Sequence, residues 1–437
     1  MRNPQAHPVS DLLNAFLEAL PRDAFSRKRK DVVWTPELTA LALLIMVLEH
    51  NGKGYDSLLS TLRCRRGDLL RVNSCASAFC RARKKLTSEI LQPAWEAFRR
   101  AFIDHFASLQ PVVHGRQLVA IDGVWINTRR SRRLFAATRR RRPGRPRKDP
   151  KGQPQILLVV LVDVLTRTPI AWEEVTPGTG ERAAAMRLLG HLTPCMVLLA
   201  DRGFPSRSLL DHLMAAKIPF IVRMATGTTA MREVTTFIGG RRNDRRVDFA
   251  LGRGRHAATA RLRLIRIRPR YAGRNASDPW ILLTSLPGCK RWNREVIAAL
   301  YHERWGIETF FRELKGLLNA DHFHAYDLDG VRAEITMLML GSSLMAAGEM
   351  VALQDQYGRM PKWDDQQQRR ANRSTLATIV LIMITSDPRT VDVQELLGRE
   401  LGVAARSAKR RRPGRSYPRI CKSFVGKWKN GFTRLAA

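Results

Sequence analysis

The sequence predicts a mixed α/β core between a helical N-terminal domain and a helical C-terminal region. Three observations indicate this. Up to about Leu109, apolar residues recur three and four positions apart, as in "DLLNAFLEAL". From Gln117 the pattern changes to apolar runs typical of strands, such as "QLVAIDGVWI" and "QILLVVLVDVL". After Leu318 helical patterns return, as in "VRAEITMLMLGSSLMAAGEMVAL".

These changes of pattern divide the chain into six segments. In the core we expect three strands, a helix, a strand, a helix and a strand, followed by a β-rich stretch with Gly-rich turns. The segments are a helical N-terminal DNA-binding domain (1–112), a first core part (113–224), a β-rich insertion domain (225–295), a second core part (296–325), a helical C-terminal region (326–400) and a basic tail (401–437).

The charge composition favours a polyanionic partner. The 437 residues include 75 Lys and Arg against 39 Asp and Glu, a net charge of +36 that exceeds what solubility requires. Nucleic acid is the first candidate, with an anionic membrane or a ribosome as alternatives. The apolar runs stay short of the ~18 residues of a membrane span, and the N-terminus lacks a signal-peptide core. We therefore expect a cytoplasmic, nucleoid-associated protein.

Basic residues concentrate in a helix, a loop and the tail. The pattern "VNSCASAFCRARKKL" predicts a basic helix that carries Arg81 and Lys84, with Ser74 as its N-cap. This helix either binds DNA in a groove or presents a solvated basic face. The loop 129–151 contains "RPGRPRK" and approximates Gly-Arg-Pro arms that enter the minor groove, with a solvated flexible loop as the alternative. Its candidate DNA contacts are Arg142, Arg145 and Arg147. The tail 401–437 mixes cations with aromatic residues and fits a non-specific phosphate clamp.

A strand within the insertion carries regularly spaced arginines. "RLRLIRIR" alternates Arg with Leu or Ile apart from one doubled apolar step. One face is therefore expected to pack, while the other presents arginines. These are Arg261, Arg263, Arg266 and Arg268.

Three carboxylates stand out by position. Asp122 lies inside the strand pattern "VAIDGVW", where an unpaired carboxylate is costly to bury. Asp201 ends the strand pattern "VLLAD", a usual place for functional groups in α/β sheets. Glu308 lies on the helix "YHERWGIETFFRELKGLL". Taken singly, each has an ordinary explanation: Asp122 could cap a turn, Asp201 could start a loop and Glu308 could belong to a helical salt-bridge ladder. Asp163, in a predicted hairpin turn, is an alternative candidate for a functional carboxylate, although aspartate is common in turns.

Together, the three carboxylates indicate a metal site. Hard oxygen ligands from separate elements suit Mg²⁺, which leaves positions for water and phosphate. Two such ions about 4 Å apart can activate an attacking oxygen and stabilise a leaving oxygen in phosphodiester displacement.

The Glu308 helix separates a polar arc from an apolar stripe. At about 100° per residue, Tyr301, Arg304, Glu308 and Lys315 share an arc of roughly 60°. A heptad surface seam is the alternative. The separate stripe contains Ile307, Phe310, Phe311, Leu314, Leu317 and Leu318.

The four residues of the polar arc carry a resemblance to a known family. The spacing Tyr-x2-Arg-x3-Glu-x6-Lys in "YHERWGIETFFRELK" resembles the signature of bacterial DDE transposases of the insertion-sequence-four family. "AIDG" around Asp122 and "LLADRGF" around Asp201 resemble that family's two Asp regions. The resemblance is strong from about Leu118 to Leu318.

The resemblance implies a ribonuclease-H-like α/β catalytic core interrupted by a β-strand insertion domain. It implies that Asp122, Asp201 and Glu308 bind two Mg²⁺ ions, with Mn²⁺ as a substitute, for DNA strand cleavage and transfer. Tyr301, Arg304 and Lys315 would contact phosphates beside the scissile bond. By similarity, Trp280 would stabilise a flipped base, although a buried core tryptophan is the alternative.

The resulting hypothesis is a cut-and-paste DNA transposase of an insertion sequence. Its partners would be double-stranded DNA at terminal inverted repeats, target DNA and a second copy of the chain in a synaptic complex. Two alternatives remain at this stage. One is a catalytically inactive, domesticated DNA-binding protein, and the other is a ribonuclease-H-like nuclease that cleaves RNA strands.

Overall fold

One mixed sheet of eight strands forms the centre of the protein. Its spatial order is β3-β2-β1-β4-β5-β8-β7-β6, in which β1 pairs antiparallel with β2 and parallel with β4. The strands are β1 (Gln117–Asn127), β2 (Gln155–Asp163), β3 (Thr168–Glu174), β4 (Met196–Ala200), β5 (Phe220–Arg223), β6 (Asp244–Ala250), β7 (Thr259–Ile267) and β8 (Trp280–Thr284). A separate short pair joins β9 (Arg369–Arg370) to β10 (Lys409–Arg410).

Helices precede, cover and follow this sheet. The computed structural model describes residues 7–21, 25, 34–49, 54–65, 75–138, 153–251, 259–267, 279–357, 369–370, 373–386, 391–406 and 409–410. The helices are α1 (Pro8–Glu18), α2 (Pro36–Leu48), α3 (Tyr55–Arg65), α4 (Ala76–Arg83), α5 (Ser88–Phe106), α6 (Arg132–Thr138), α7 (Glu181–Leu188), α8 (Arg207–Ala215), α9 (Arg232–Gly239), α10 (Arg294–Glu303), α11 (Trp305–Gly316), α12 (Leu328–Tyr357), α13 (Arg373–Thr385) and α14 (Val393–Arg406).

The predicted strands and helices of the first core part are confirmed in their order, but the predicted loop 129–151 contains a helix, α6, whose Leu134 is buried. Strands β1, β2 and β3 form an antiparallel meander, and β3-α7-β4-α8-β5 then adds two parallel strands beside β1. Long apolar runs form these strands because both faces of the sheet are covered. The order β3-β2-β1-β4-β5 fits the ribonuclease-H-like core that the resemblance implies.

Two hydrophobic clusters lie on opposite faces of the sheet. Val119 and Ile121 of β1 pack into a cluster with α7 and α8, whereas Ala120 and Val124 pack into a larger cluster with the other helices. Because side chains alternate along a strand, Asp122 projects to the same face as Ala120 and Val124. The carboxylate therefore faces α10, α11 and α12 rather than α7.

The insertion segment extends the core sheet. Strand β8 pairs antiparallel with β5, and β7 and β6 continue outward from it. The sequence predicted a β-rich insertion domain over residues 225–295, and this segment contains α9 and strands β6, β7 and β8. The apolar periodicity of a strand does not reveal which other strand it pairs with. In this fold β8 pairs with the edge strand β5 of the core.

The arginine face of β7 is only partly exposed. Arg261 is exposed as expected, but Arg263 is buried and donates through its Nε to Asp244 Oδ1 at 2.7 Å. Arg266 donates to carbonyls that include that of Ile238 at 2.7 Å. The expectation of a fully presented arginine face is therefore wrong for Arg263, because Asp244 on the paired strand supplies a partner. Arg268 lies outside the described residues.

Helix α12 lies at the centre of the helical layer. It contacts α1, α2, α5, α13 and α14, and many of its side chains are fully buried. By length and composition alone, 328–354 could cross a membrane, but the apolar window there is wholly buried inside the protein. In the sequence, no apolar run reached membrane length. The run in this helix looked short because Gly341, Ser342 and Ser343 interrupt it.

Candidate carboxylate site

The parallel pairing of β1 and β4 brings two predicted site residues together. Its last paired positions are Ile121 and Ala200. Asp122 and Asp201 are the next residues after this pair, one in β1 and one directly after β4. Because the backbones of neighbouring strands lie about 4.8 Å apart, the two aspartates are neighbours. Asp201 is also the first residue after β4, where the chain leaves the sheet.

Glu308 reaches this place on α11. The segment Tyr301–Leu318, expected as one helix, forms α10 and α11 with a turn at Arg304. Around the turn the backbone makes bonds of three-residue spacing, from Arg304 N–H to the Tyr301 carbonyl and from Ile307 N–H to the Arg304 carbonyl. Arg304 keeps right-handed helical torsions, with φ −49° and ψ −30°, so the predicted arc survives the interruption.

The predicted apolar stripe of this segment is confirmed in its main positions. Ile307, Phe310, Leu314 and Leu318 are buried, and Phe311 and Leu317 pack against the same cluster. Glu303, the last residue of α10, is also buried. Burial of the stripe places the polar arc that borders it, with Arg304 and Glu308, next to Asp122.

Arg304 connects two of the three carboxylates. Its Nη2 donates to Glu308 Oε1 at 2.7 Å, and its Nη1 donates to Asp122 Oδ2 at 3.4 Å. The side chain is 8% exposed. A single guanidinium therefore brings a strand residue and a helix residue 186 positions apart into one charge cluster (308 − 122 = 186).

The electrostatics of Asp122 reflect this cluster. Burial raises the pKa of Asp122 to about 6, and the charges of Asp201 and Glu308 add to that effect. The Gly123 N–H, which donates to Asp122 Oδ1 at 2.8 Å, and the Arg304 guanidinium act in the opposite direction. Asp122 therefore lies near enough to the other two carboxylates for their charges to disfavour its own ionisation.

Asp201 is held by Tyr301 and Arg223. The Tyr301 hydroxyl donates to Asp201 Oδ1 at 3.3 Å, and Arg223 Nη1 lies 3.7 Å from the same oxygen. Burial and the Asp201 charge raise the pKa of Tyr301 well above its ordinary value, so the hydroxyl keeps its proton. Burial alone would lower the pKa of Arg304, but Tyr301, Glu308 and Asp201 raise it above its ordinary value.

Trp280 packs beside Tyr301 at the start of β8. The two rings meet edge to face with centroids 5.8 Å apart. The Arg223 guanidinium lies 4.5 Å from the Trp280 ring centroid. Trp280 is thus half-buried next to the site, with an arginine over its ring.

Lys315 lies farther along α11, outside the charge cluster. Its Nζ donates to the Trp125 carbonyl and lies 3.7 Å from Asp321 Oδ2. Of the four arc residues, Tyr301, Arg304 and Glu308 thus contact the aspartates or each other. Lys315 contacts the outer part of β1 and the loop after α11.

Of the remaining predicted DNA-binding residues, the structure describes Arg81 and Lys84. Arg81 and Lys84 are exposed on and just after α4, while Arg83 between them is buried and paired with Glu334 at 2.8 Å. Helix α4 is capped at Cys75, without a side-chain hydrogen bond. Ser74, Arg142, Arg145 and Arg147, together with most of the tail 401–437, lie outside the described residues.

Two residues near the site were not found from the sequence. Arg223 ends β5, and its position beside Asp201 depends on the β4 and β5 pairing. Gly306 touches the turn between β2 and β3, where a Cβ atom would meet the Val164 carbonyl oxygen at 2.6 Å. The glycine within a helical pattern was the available signal for a close approach.

The donor set suits a hard divalent cation. Three carboxylates converge, and the positive charge among them is an arginine that binds two of them. Among the described residues, no group of three or more His, Cys, Asp or Glu side chains is arranged closely enough to hold a metal ion as it stands. Since Arg304 lies between Asp122 and Glu308, metal binding by all three would require this arginine to give up its present bonds.

The fold and the site define a class: an α/β protein of ribonuclease-H-like topology with a carboxylate cluster at the middle of β1 and the end of β4. The chain belongs to the family defined by the transposase DDE domain, whose family model matches residues 113–344, more than half of the chain. DDE transposases are generally dependent on divalent metal ions.

Among solved structures, the chain is similar to the piggyBac transposase in a cryo-EM structure of its synaptic complex with hairpin DNA. The identity is 13%, the match covers 95% of this chain and 82% of that chain, and the TM-score is 0.47. A search among curated proteins found no match.

Proposed function

We propose that this transposase is a bacterial insertion-sequence enzyme of the insertion-sequence-four group. It binds the terminal inverted repeats of its element and catalyses DNA strand cleavage and transfer by a cut-and-paste route. Water attacks the phosphodiester at the element end, and the freed 3′-hydroxyl then attacks the other strand or the target DNA. The protein acts in the cytoplasm, at the nucleoid, as a homodimer in a synaptic complex.

The observation that carries this proposal is the meeting of Asp122, Asp201 and Glu308. They come from a strand, a strand end and a helix, and each is bonded to Arg304 or Tyr301. A salt-bridge ladder on α11 would need neither aspartate. A surface seam would not bury Tyr301 and Arg304, which are 2% and 7% exposed.

Asp122, Asp201 and Glu308 would hold Mg²⁺, with Mn²⁺ as a substitute. Bound divalent ions activate the attacking oxygen and stabilise the charge on the leaving oxygen. The Gly123 N–H fixes Asp122 Oδ1 and leaves Oδ2, which now faces Arg304, to turn to a ligand. Tyr301 fixes the orientation of Asp201 by donating its hydroxyl proton.

Residues around the carboxylates would bind the DNA backbone. Tyr301, Arg304 and Lys315 lie on the same side of the α10 and α11 segment and are assigned to phosphates beside the scissile bond. Trp280, next to Tyr301, is assigned to an unstacked base. The net charge of +36 supplies the general attraction to DNA, to which Arg81, Lys84 and the loop arginines Arg142, Arg145 and Arg147 are assigned.

A cleavage assay with matched carboxylate variants tests this function. The substrate is a DNA duplex that carries the inverted repeats flanking the gene, with and without Mg²⁺. Glu308→Gln should lower the nicking rate about 100-fold or more, since losing even a supporting partner of a metal ligand costs about 10- to 100-fold. The control is Glu295→Gln on α10, whose side chain is 68% exposed and pairs with Arg294.

The outcomes separate the proposal from its alternatives. Equal nicking by wild type and Glu308→Gln would contradict the metal assignment. Binding of the repeats without any cleavage by the wild type would indicate an inactive DNA-binding protein. Cleavage of RNA strands without dependence on the repeats would indicate a ribonuclease-H-like nuclease.

A further inference from the structure

The turn between β2 and β3 contacts the Glu308 helix on both sides of Glu308. Two positions before Glu308, Gly306 lies against Val164 so closely that a Cβ atom would meet the Val164 oxygen at 2.6 Å. Five positions after it, Glu313 accepts a hydrogen bond from Arg167 Nη1. We call this turn, residues 164–167, the seat of α11. Its two contacts limit both the distance of α11 from the sheet and the rotation of α11 about its own axis.

A buried carboxylate gives this turn its shape. Asp163 Oδ1 accepts hydrogen bonds from the Leu165 N–H at 2.9 Å and the Thr166 N–H at 2.8 Å, and Asp163 Oδ2 accepts one from Gln117 at 2.7 Å. Asp163 is 1% exposed. The sequence assigned it to an ordinary turn, and the structure gives that turn a position beneath α11.

Four buried charges connect this seat to the C-terminal helices. Arg167 Nη2 lies 3.2 Å from Glu349 Oε2 on α12, and the same oxygen lies 2.8 Å from Arg373 Nη2 at the start of α13. Arg373 Nε lies 3.9 Å from Glu313 Oε2, which closes the ring. The exposed fractions of these four side chains range from 6% to 19%. Two arginines and two glutamates thus balance their charges within a largely dry region.

Arg373 also bonds the backbone of the β2–β3 turn directly. Its Nη2 also donates to the Thr166 carbonyl at 2.6 Å, so it holds the seat turn itself as well as Glu349 and Glu313. Arg373 lies beyond the segment 113–344 that matches the transposase DDE domain. Nothing in its local sequence, "RSTLATIVLIMIT", indicates a role in the carboxylate site.

We infer that Arg373 is a positioning residue for Glu308. By holding Thr166, Glu349 and Glu313 together, it fixes α11 on the β2–β3 turn and so fixes the distance of Glu308 from Asp122. This inference rests on the proposed function, because it concerns the geometry of the same carboxylates. It adds that the C-terminal helical region takes part in building the metal site.

Metal binding by the full-length protein tests the inference without relying on activity. Mn²⁺ is titrated into wild type and Arg373→Met, and free Mn²⁺ is followed by electron paramagnetic resonance. Arg373→Met should weaken Mn²⁺ binding about 2- to 30-fold, the range expected for a residue that acts on a site without touching the ligand. In the cleavage assay kcat should fall in proportion, while KM for DNA stays near the wild-type value. Arg373→Lys, which keeps one donor group, should restore part of the affinity.

Arg83→Met is the matched control. It breaks another buried ion pair, with Glu334, whose side chains are 5% and 1% exposed, and the Arg83 contacts lie on α12 and in the N-terminal helices. It should lower the melting temperature as Arg373→Met does but leave the Mn²⁺ affinity unchanged. If Arg373→Met does not fold, Arg373→Met/Glu349→Leu removes one charge of each sign and leaves Arg167 paired with Glu313. The same Mn²⁺ result is expected of that double variant.

The outcomes distinguish this inference from the proposed function. Wild-type Mn²⁺ affinity in Arg373→Met, or in the double variant, would overturn the positioning role. Equal weakening in Arg83→Met would overturn it as well, because the effect would then be a general loss of stability. If the wild type itself fails to bind Mn²⁺, or Glu308→Gln binds it equally well, the proposed function is at fault.

Discussion

An alanine at position 306 would place a methyl group inside the turn that supports the Glu308 helix. The added Cβ would lie 2.6 Å from the Val164 carbonyl oxygen, 2.8 Å from the Val164 Cβ and 3.1 Å from its Cα. Two of these neighbours are backbone atoms, which cannot rotate away as a flexible side chain can. The contact must therefore be relieved by movement of α11 or of the turn.

The size of that movement follows from the contact distances. Ordinary contact begins at 3.4 Å, so the Cβ must withdraw by about 3.4 − 2.6 = 0.8 Å. Glu308 lies two residues away on the same helix and moves with it. A misplacement of about 1 Å at a reacting centre can cost about 100-fold in rate. We expect Gly306→Ala to cleave DNA 10- to 100-fold more slowly than the wild type.

The stability change should be smaller than the activity change. Overpacking costs about 1–3 kcal/mol, while alanine favours a helix over glycine by about 1 kcal/mol. The net destabilisation should therefore be about 0–2 kcal/mol, measured by urea unfolding. A stable protein with a slow reaction is the signature expected of a displaced helix.

Gly316→Ala on the same helix provides the control. A Cβ at Gly316 would meet no atom within 4 Å, so this variant should cleave within about twofold of the wild type and unfold at the same or a slightly higher urea concentration. The reasoning would be refuted if Gly306→Ala cleaved as fast as Gly316→Ala. It would also be refuted if both lost activity equally, since the contact with Val164 would then not be the cause.

Three further variants test charges in and around the core. Asp163→Asn should cost about 2–3 kcal/mol in urea unfolding, because an amide NH₂ would face N–H donors; an unchanged midpoint would contradict the described turn. Burial alone would raise the pKa of Glu233, but hydrogen bonds from Arg207 and the Ala250 N–H lower it. Its ionised form therefore stabilises the fold above about pH 4.5, and this stabilisation is lost as the pH falls through the lowered pKa. Glu233→Gln should therefore reduce the free energy of unfolding by about 1–2 kcal/mol at pH 7 and by less at pH 3. Equal reductions at the two pH values would contradict this. Arg304→Gln should bind Mn²⁺ several-fold more tightly in calorimetry, because a competing positive charge is removed; weaker binding would show that Arg304 holds the carboxylates in place.

The local patterns of the sequence predicted the strands and helices of the first core part and the apolar stripe of the Glu308 helix. The order of β1 to β5 with α7 and α8 is confirmed, because each apolar run there becomes one buried strand or helix face. The stripe of α11 is confirmed for the same reason, since Ile307, Phe310 and Leu314 recur at helical spacing. The transposase family is confirmed by the match over 113–344.

Partners that are distant along the chain account for what the sequence did not predict. The sequence pattern assigned Arg263 to an exposed arginine face, whereas in the fold β6 places Asp244 beside it as a hydrogen-bond partner. Arg167 and Arg373, 206 positions apart (373 − 167 = 206), approach the same Glu349 oxygen. Such pairings leave no periodic signal, because each residue's own neighbours along the chain are unrelated to the contact. The assigned roles of Tyr301, Arg304 and Lys315 in DNA binding stay predictions.

Two of the charges that support the Glu308 helix, Glu349 and Arg373, lie outside the segment that defines the family. The matching segment ends at residue 344, within α12, although this helix continues to Tyr357 and carries Glu349 of the charge ring. One hydrophobic cluster joins α1, α2 and α5 to α11, α12, α13 and α14. Cutting the chain at residue 344 would expose apolar faces of α12 and leave Arg167 and Glu313 without Glu349 and Arg373. A buried arginine that loses a partner is costly. The helix that carries Glu308 would then be held by its apolar stripe, the Gly306 contact and the Arg167–Glu313 pair, without the two further charges of the ring. The carboxylate site is therefore a product of the whole described chain, and the terminal helices are part of what fixes its geometry.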